Sequence, residues 1–237
     1  MNTPEVLRFK TVGELAEAAA EQGLALVAKA AGAPCCIALP GGRTARPLFS
    51  AFARGLSQNK ALLPHTHFFW ADERCVPPSS PESNFALAEA FLLRPVGISG
   101  SQYHRIRGEE APAVAAELAT RELCGLAPLN EAGQPILDLV LLGMGEDGHI
   151  ASLFPGEAEA TILHPAVFRP VTACKPPPRR VTLGYAALAA AREVWVLVAG
   201  AGKAEALGRA LGGDTRLPLG QLLRMRVQTR IFAESAG

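Results

Sequence analysis

Four polar stretches of this chain combine glycine, charge and histidine in ways that can do chemistry. Gly143-Met144-Gly145-Glu146-Asp147-Gly148-His149 places an imidazole two residues from a carboxylate. An unperturbed imidazole titrates near pH ~6.5, so His149 can serve as a general base at neutral pH, with Asp147 orienting its ring. Free N–H groups of the glycine turn can hold an oxyanion. The plain alternative is a histidine that caps a turn. Pro40-Gly41-Gly42-Arg43-Thr44 can cradle an anion. The backbones of Gly41 and Gly42 permit close approach, a helix N-terminus follows, and Thr44 adds a hydroxyl. It also reads as an ordinary strand-to-helix turn. Asp72-Glu73-Arg74 ends an aromatic strand, where Arg74 can clamp a phosphate or carboxylate in bidentate fashion, or make a surface ion pair. Lys175-Pro176-Pro177-Pro178-Arg179-Arg180 holds cations on a backbone stiffened by proline, which suits a phosphate clamp or a solvated basic turn.

The third glycine in the first stretch completes GxGxxG, so a dinucleotide site must be weighed. Glu146 and Asp147 stand where a pyrophosphate needs neutral donors. Pro155 cuts short the helix that should follow, and no acidic residue closes a second strand at the ribose position. That reading is rejected. Gly200-Ala201-Gly202-Lys203 has a look of a phosphate loop. Leu197 stands where that motif needs glycine and Ala204 where it needs Ser or Thr, so it reads as a strand-to-helix turn. His65 and His67 are spaced i, i+2 without a third ligand at metal-site spacing, so no metal is expected. His104 and His164 read as structural.

These loops need elements to position them. Apolar runs at 35–39, 67–71, 137–142 and 194–199 read as buried strands, with 227–232 as a last one and 181–183 as a short extended piece. Helical patterns cover 14–31 behind a Thr11/Glu14 capping box, then a stretch to about 56 that Thr44 can cap, 85–93 behind Ser83, 111–123 and 203–211. Strands alternating with helices imply an α/β fold, a mainly parallel sheet with helices on both faces. Ligands then bind beyond the carboxyl ends of the strands. The 237 residues suit one unit spanning 1–237.

Composition narrows the partners. Twenty-three basic residues offset 22 acidic ones, for a net charge of +1. Nothing global attracts nucleic acid or an anionic membrane, so any anion site must be built locally. Five cysteines without a CxxC pair suggest a reduced, cytoplasmic chain. No apolar run approaches the ~20 residues of a membrane span. A monomer or a small homo-oligomer is equally compatible with the sequence.

Together and in this order, the four loops resemble the 6-phosphogluconolactonase family. Asp72-Glu73-Arg74-Cys75-Val76-Pro77 with Ser83-Asn84 is similar to that family's DER-x-VP…SN segment. The stretch from Gly143 through His149 to Gly156 is similar to its central signature. Lys175-Pro176-Pro177 with Arg180-Val181-Thr182-Leu183 is similar to its KPP…R-[IV]-T-L segment. The resemblance implies a Rossmann-like sheet shared with glucosamine-6-phosphate deaminases and ribose-5-phosphate isomerases. It also implies hydrolysis of 6-phospho-D-glucono-1,5-lactone in the oxidative pentose phosphate pathway, without cofactor or metal. His149 with Asp147 would then be catalytic, and Gly41, Gly42, Thr44, Arg74, Lys175 and Arg180 would hold the phosphate. Pro40 and Ala45 depart from the family's S-G-G-[SR]-T-P, which removes a side-chain phosphate contact at position 40. Rival readings are a deaminase of the same fold, against which the apolar Ala151-Ser152-Leu153-Phe154 stretch argues, and a non-catalytic sugar-phosphate sensor.

Overall fold

The computed structural model describes residues 4–30 and 33–235. Strands β1 (Glu5–Phe9), β2 (Cys35–Leu39), β3 (Thr66–Trp70), β5 (Leu139–Gly143), β8 (Glu193–Val198) and β9 (Arg230–Glu234) form one sheet, with β4 (Asp72–Arg74) lying outside it. Its order is β1-β9-β8-β5-β2-β3, and every neighbouring pair is parallel. A parallel sheet is buried on both faces, which is why β2, β5 and β8 read as continuous apolar runs. The strands β4, β6 (Phe168–Thr172) and β7 (Arg179–Leu183) make a second sheet, antiparallel, in the order β4-β7-β6. This second sheet was not expected from the sequence.

Helix α1 (Val12–Lys29) starts as its capping residues dictate. The Thr11 side chain accepts from the Glu14 amide at 3.1 Å, and Glu14 reaches back to the Lys10 amide at 2.9 Å. Residue 31, expected to end this helix, lies outside the described residues. Helix α2 (Ala45–Gln58) carries Leu48, Phe49, Phe52 and Leu56 on its buried side, at helical spacing. Thr44 occupies its N-cap position without making a side-chain cap bond. Helix α3 (Asn84–Ala88) runs into a π turn and α4 (Arg94–Val96), and Ser83 caps it as expected. Helices α5 (Pro112–Leu126), α6 (Glu159–Ile162), α7 (Tyr185–Ala190), α8 (Ala204–Leu211) and α9 (Pro218–Met225) follow. No described helix is long and apolar enough to cross a membrane.

The chain leaves β2 for β3 on one side and returns to β5 on the other. That reversal opens a crevice at the carboxyl ends of β2 and β5, the place where ligands bind in open parallel sheets. The segments leaving β3, β2, β5 and β8 are therefore neighbours. Ala71 links the two sheets: its amide donates to the Leu39 carbonyl at 2.9 Å, and its carbonyl accepts from the Leu183 amide at 2.8 Å.

Candidate active site

A cleft of about 100 Å³ lies at this crevice. Gly41, Gly42, Arg43 and Thr44 line it from the turn after β2, Asp72 and Arg74 from β4, and Met144, His149 and Ala151 from the loop after β5. Arg180 on β7 and Lys203 before α8 complete the wall. Three of the four loops singled out in the sequence thus converge through cleft-lining residues, and Arg180 of the fourth joins them.

The turn after β5 is built around the imidazole. The Gly145 amide donates to the His149 carbonyl and the Gly148 amide to the Gly145 carbonyl, at 2.9 and 3.0 Å. Gly148 sits at φ +79, where a side chain would be strained. A Cβ on Gly145 would lie 2.1 Å from the His149 ring, so only glycine leaves room for it. Asp147 Oδ1 is 2.5 Å from His149 Nδ1 and also accepts from the His149 amide at 3.3 Å. Nδ1 is therefore the protonated nitrogen, and Nε2 is left as the acceptor. Burial holds the His149 imidazole below its ordinary 6.5, against the pull of Asp147. It is thus neutral at pH 7. Burial pushes the Asp147 carboxyl up, but bonds from Lys175 and His149 outweigh that and hold it at about 2. The amides of Gly145, Gly148 and His149 are spent within the turn. The expectation that the turn offers free amides to an oxyanion fails at these three positions.

The turn after β2 is the opposite case. Its amides at 41–44 have no acceptor among the described residues. Gly42 takes φ +85, and Gly41 packs so tightly on Asn84 that a Cβ would come within 2.2 Å of its side chain. Thr44 is buried with its hydroxyl unspent on the helix. Unpartnered amides just ahead of a 14-residue helix attract an anion.

Two arginines flank this turn. Arg74 and Arg180 are register partners across β4 and β7. Arg74 donates from Nη1 to the Glu82 carbonyl at 2.7 Å, while its buried Nε has no partner. Arg180 is almost fully buried. It donates to the carbonyls of Pro177, Lys175 and Pro176 at 2.9, 3.3 and 3.3 Å, so it pins the proline loop from beneath. Lys175 does not line the cleft. Its ammonium is bonded to Asp147 Oδ2 at 2.6 Å.

From the sequence, Gly200-Ala201-Gly202-Lys203 is a strand-to-helix turn without a site role for Lys203. Burial, then the nearby Arg43, pushes its amine below the usual lysine value. The segment is a strand-to-helix turn, as read from the sequence, yet it also delivers a cation. Pairing of Gly143 with Leu197 carries the chain beyond β8 alongside the histidine turn. The missing phosphate-loop glycine hid this, because the sheet and not the motif sets the position.

Beneath the cleft lies a buried polar layer. Asp72 Oδ2 accepts from Ser152 Oγ at 2.5 Å, and Ser152 Oγ accepts from Arg180 Nη1 at 3.4 Å. Ser152 is fully buried, which rules against a nucleophile at this position. Glu73 accepts four bonds, from the amides of Arg74, Asn84 and Phe85 and from Ser83 Oγ. It anchors the start of α3 and takes no part in the cleft. Burial pushes its carboxyl up to about 7 against those donors. His67 and His104 lie apart from the cleft, bonded to each other at 3.2 Å. Among the described residues no three His, Cys, Asp or Glu side chains are grouped to hold a metal ion.

Residues 10–231 match the family model of glucosamine-6-phosphate isomerases/6-phosphogluconolactonase, so the chain belongs to that family. It is 33% identical over 220 residues to a 6-phosphogluconolactonase of Streptomyces coelicolor, covering 90% of this chain and 84% of that one. The solved structure of 6-phosphogluconolactonase from Trypanosoma brucei superposes with a TM-score of 0.84 at 28% identity, over 99% of this chain and 97% of the other. A monomeric glucosamine-6-phosphate deaminase shares the fold, with a TM-score of 0.80 at 19% identity over 97% of both chains.

Proposed function

We propose that this protein hydrolyses 6-phospho-D-glucono-1,5-lactone to 6-phosphogluconate, in the pentose phosphate pathway, with His149 as general base. The observation that carries this reading is a carboxylate-oriented imidazole sharing one cleft with unpartnered amides and cations. A phosphorylated lactone has one end for each. The phosphate sits on the turn at 41–44, held by Thr44, Arg74 and Lys203, with Arg180 bracing the wall. That fixes C1 beside His149 and converts the attack of water into an oriented step.

His149 Nε2 takes a proton from water as the water oxygen bonds to C1, and the carbonyl electrons move onto oxygen. The tetrahedral intermediate collapses by breaking the bond from C1 to the ring oxygen. The imidazolium then returns its proton to that oxygen, giving the open acid with a free hydroxyl. Asp147 keeps Nδ1–H pointed away from the reaction throughout. Ser152 takes no covalent part, since its Oγ is buried against Asp72.

The family match and the lactonase relatives support this reading over the deaminase. So do the apolar residues after His149, where Ile150 and Leu153 are fully buried and positions 150–155 hold no carboxylate. The test is loss of freshly generated lactone above its spontaneous hydrolysis, beside ammonia release from glucosamine 6-phosphate. Lactone turnover without ammonia is the expected result. Ammonia release would overturn it in favour of the deaminase.

A further inference from the structure

Lys175 lies on the far side of Asp147 from His149. Its Nζ is 2.6 Å from Asp147 Oδ2, while Asp147 Oδ1 holds His149 Nδ1 at 2.5 Å. One carboxylate therefore bridges an ammonium and an imidazole. The loop bearing Lys175 is fixed for this task. Arg180 binds the carbonyls of Lys175, Pro176 and Pro177 from below, and the prolines stiffen the backbone.

We propose that Lys175 is a positioning residue for the general base, whose ammonium shares Asp147 with His149 and so keeps the imidazole a neutral proton acceptor. This rests on the general-base reading of His149. The physics is a competition for one anion. A carboxylate beside an imidazole favours the imidazolium, and a cation on the same carboxylate offsets that attraction. Without the offset, a larger share of His149 would carry a proton at the pH where it must accept one. The charges around His149 divide. Asp72 on β4 favours its protonation and Lys175 opposes it, while Arg74, Arg180 and Lys203 are further cations of the same cleft. Lys175 differs from those three in touching the carboxylate that orients the ring. It is half exposed, so its influence is moderated by water and salt.

The experiment compares wild type with Lys175→Met, Lys175→Gln and Lys175→Arg. The first readout is the titration of the His149 imidazole by NMR, which does not depend on turnover. Removing the charge is expected to raise the His149 pKa by roughly one unit, and Lys175→Arg to leave it near wild type. The second readout is the acid limb of kcat/KM for 6-phosphogluconolactone, above spontaneous hydrolysis, which should move up by the same amount. An unshifted His149 titration in both neutral variants overturns the proposal. So does a raised KM with an unshifted pH profile, which would make Lys175 a phosphate ligand. A shifted NMR titration in a protein without lactonase activity would uphold the coupling and defeat the function instead.

Discussion

Arg74 and Arg180 face each other as register partners on antiparallel strands β4 and β7. Like charges directly opposite on a sheet repel, and here the Arg74 Nε is buried without a partner. An anion between the turn at 41–44 and these side chains resolves both problems. Arg74→Met should therefore raise KM for the lactone roughly 10- to 100-fold, the worth of one or two charge-assisted bonds. The fold should tolerate it, because the repulsion from Arg180 is lost together with the exposed bond to the Glu82 carbonyl. Steady-state kinetics beside a thermal melt checks this. An unchanged KM would remove Arg74 from the phosphate site.

Gly145 is constrained by a neighbour and not by its own backbone. A Cβ there would press on the His149 ring at 2.1 Å. Gly145→Ala should turn the imidazole outward and lower kcat/KM by roughly a hundredfold, the scale for an ångström of misplacement. Its melting temperature should stay near that of wild type, since the ring is partly exposed and can yield. Wild-type activity in this variant would show that the ring position does not matter.

The pH dependence follows from two displaced groups. His149 must be neutral to accept a proton, and burial lowers its pKa, so the acid limb of kcat/KM should lie below pH 6.5. A limb above that value would contradict the assignment. Asp147 is depressed to about 2, so its charged form stabilises the native state above the ordinary carboxylate value of 3.8. That stabilisation is lost as pH falls through about 2. In urea titrations at falling pH, the advantage of wild type over Asp147→Asn should shrink across this window.

Ser152 ties the loop after β5 to the second sheet, donating to Asp72 and accepting from Arg180. Ser152→Ala leaves a buried carboxylate oxygen short of a donor, a cost of about 1–3 kcal/mol in denaturant unfolding. Turnover should persist, and no acyl-enzyme should be trapped in wild type. A covalent adduct on Ser152 would reverse this conclusion.

The parallel sheet could be read from the sequence because buried strands such as Leu139–Gly143 carry no polar alternation. The start of α1 was readable because Thr11 and Glu14 state it locally. The second sheet was harder. Strand β6 has Pro170 at its centre, tolerable only because β6 is an edge strand, which the sequence does not announce. Strand β1 is partly exposed and lacks an apolar run, and β9 lies at 230–234, not 227–232. Within the site, Asp147 and His149 could be paired by spacing alone, since one turn holds both. The bond from Lys175 to Asp147 and the placement of Lys203 are products of sheet order, and no local pattern encodes them.

His149 is proposed to take the proton from water. The most direct test is the loss of freshly generated 6-phosphogluconolactone with wild type and His149→Ala side by side, corrected for spontaneous hydrolysis. Turnover by wild type is expected, with a fall of roughly 100- to 10,000-fold in the variant, the usual worth of a general base, and sugar-phosphate binding retained. Turnover by His149→Ala at the wild-type rate would contradict it.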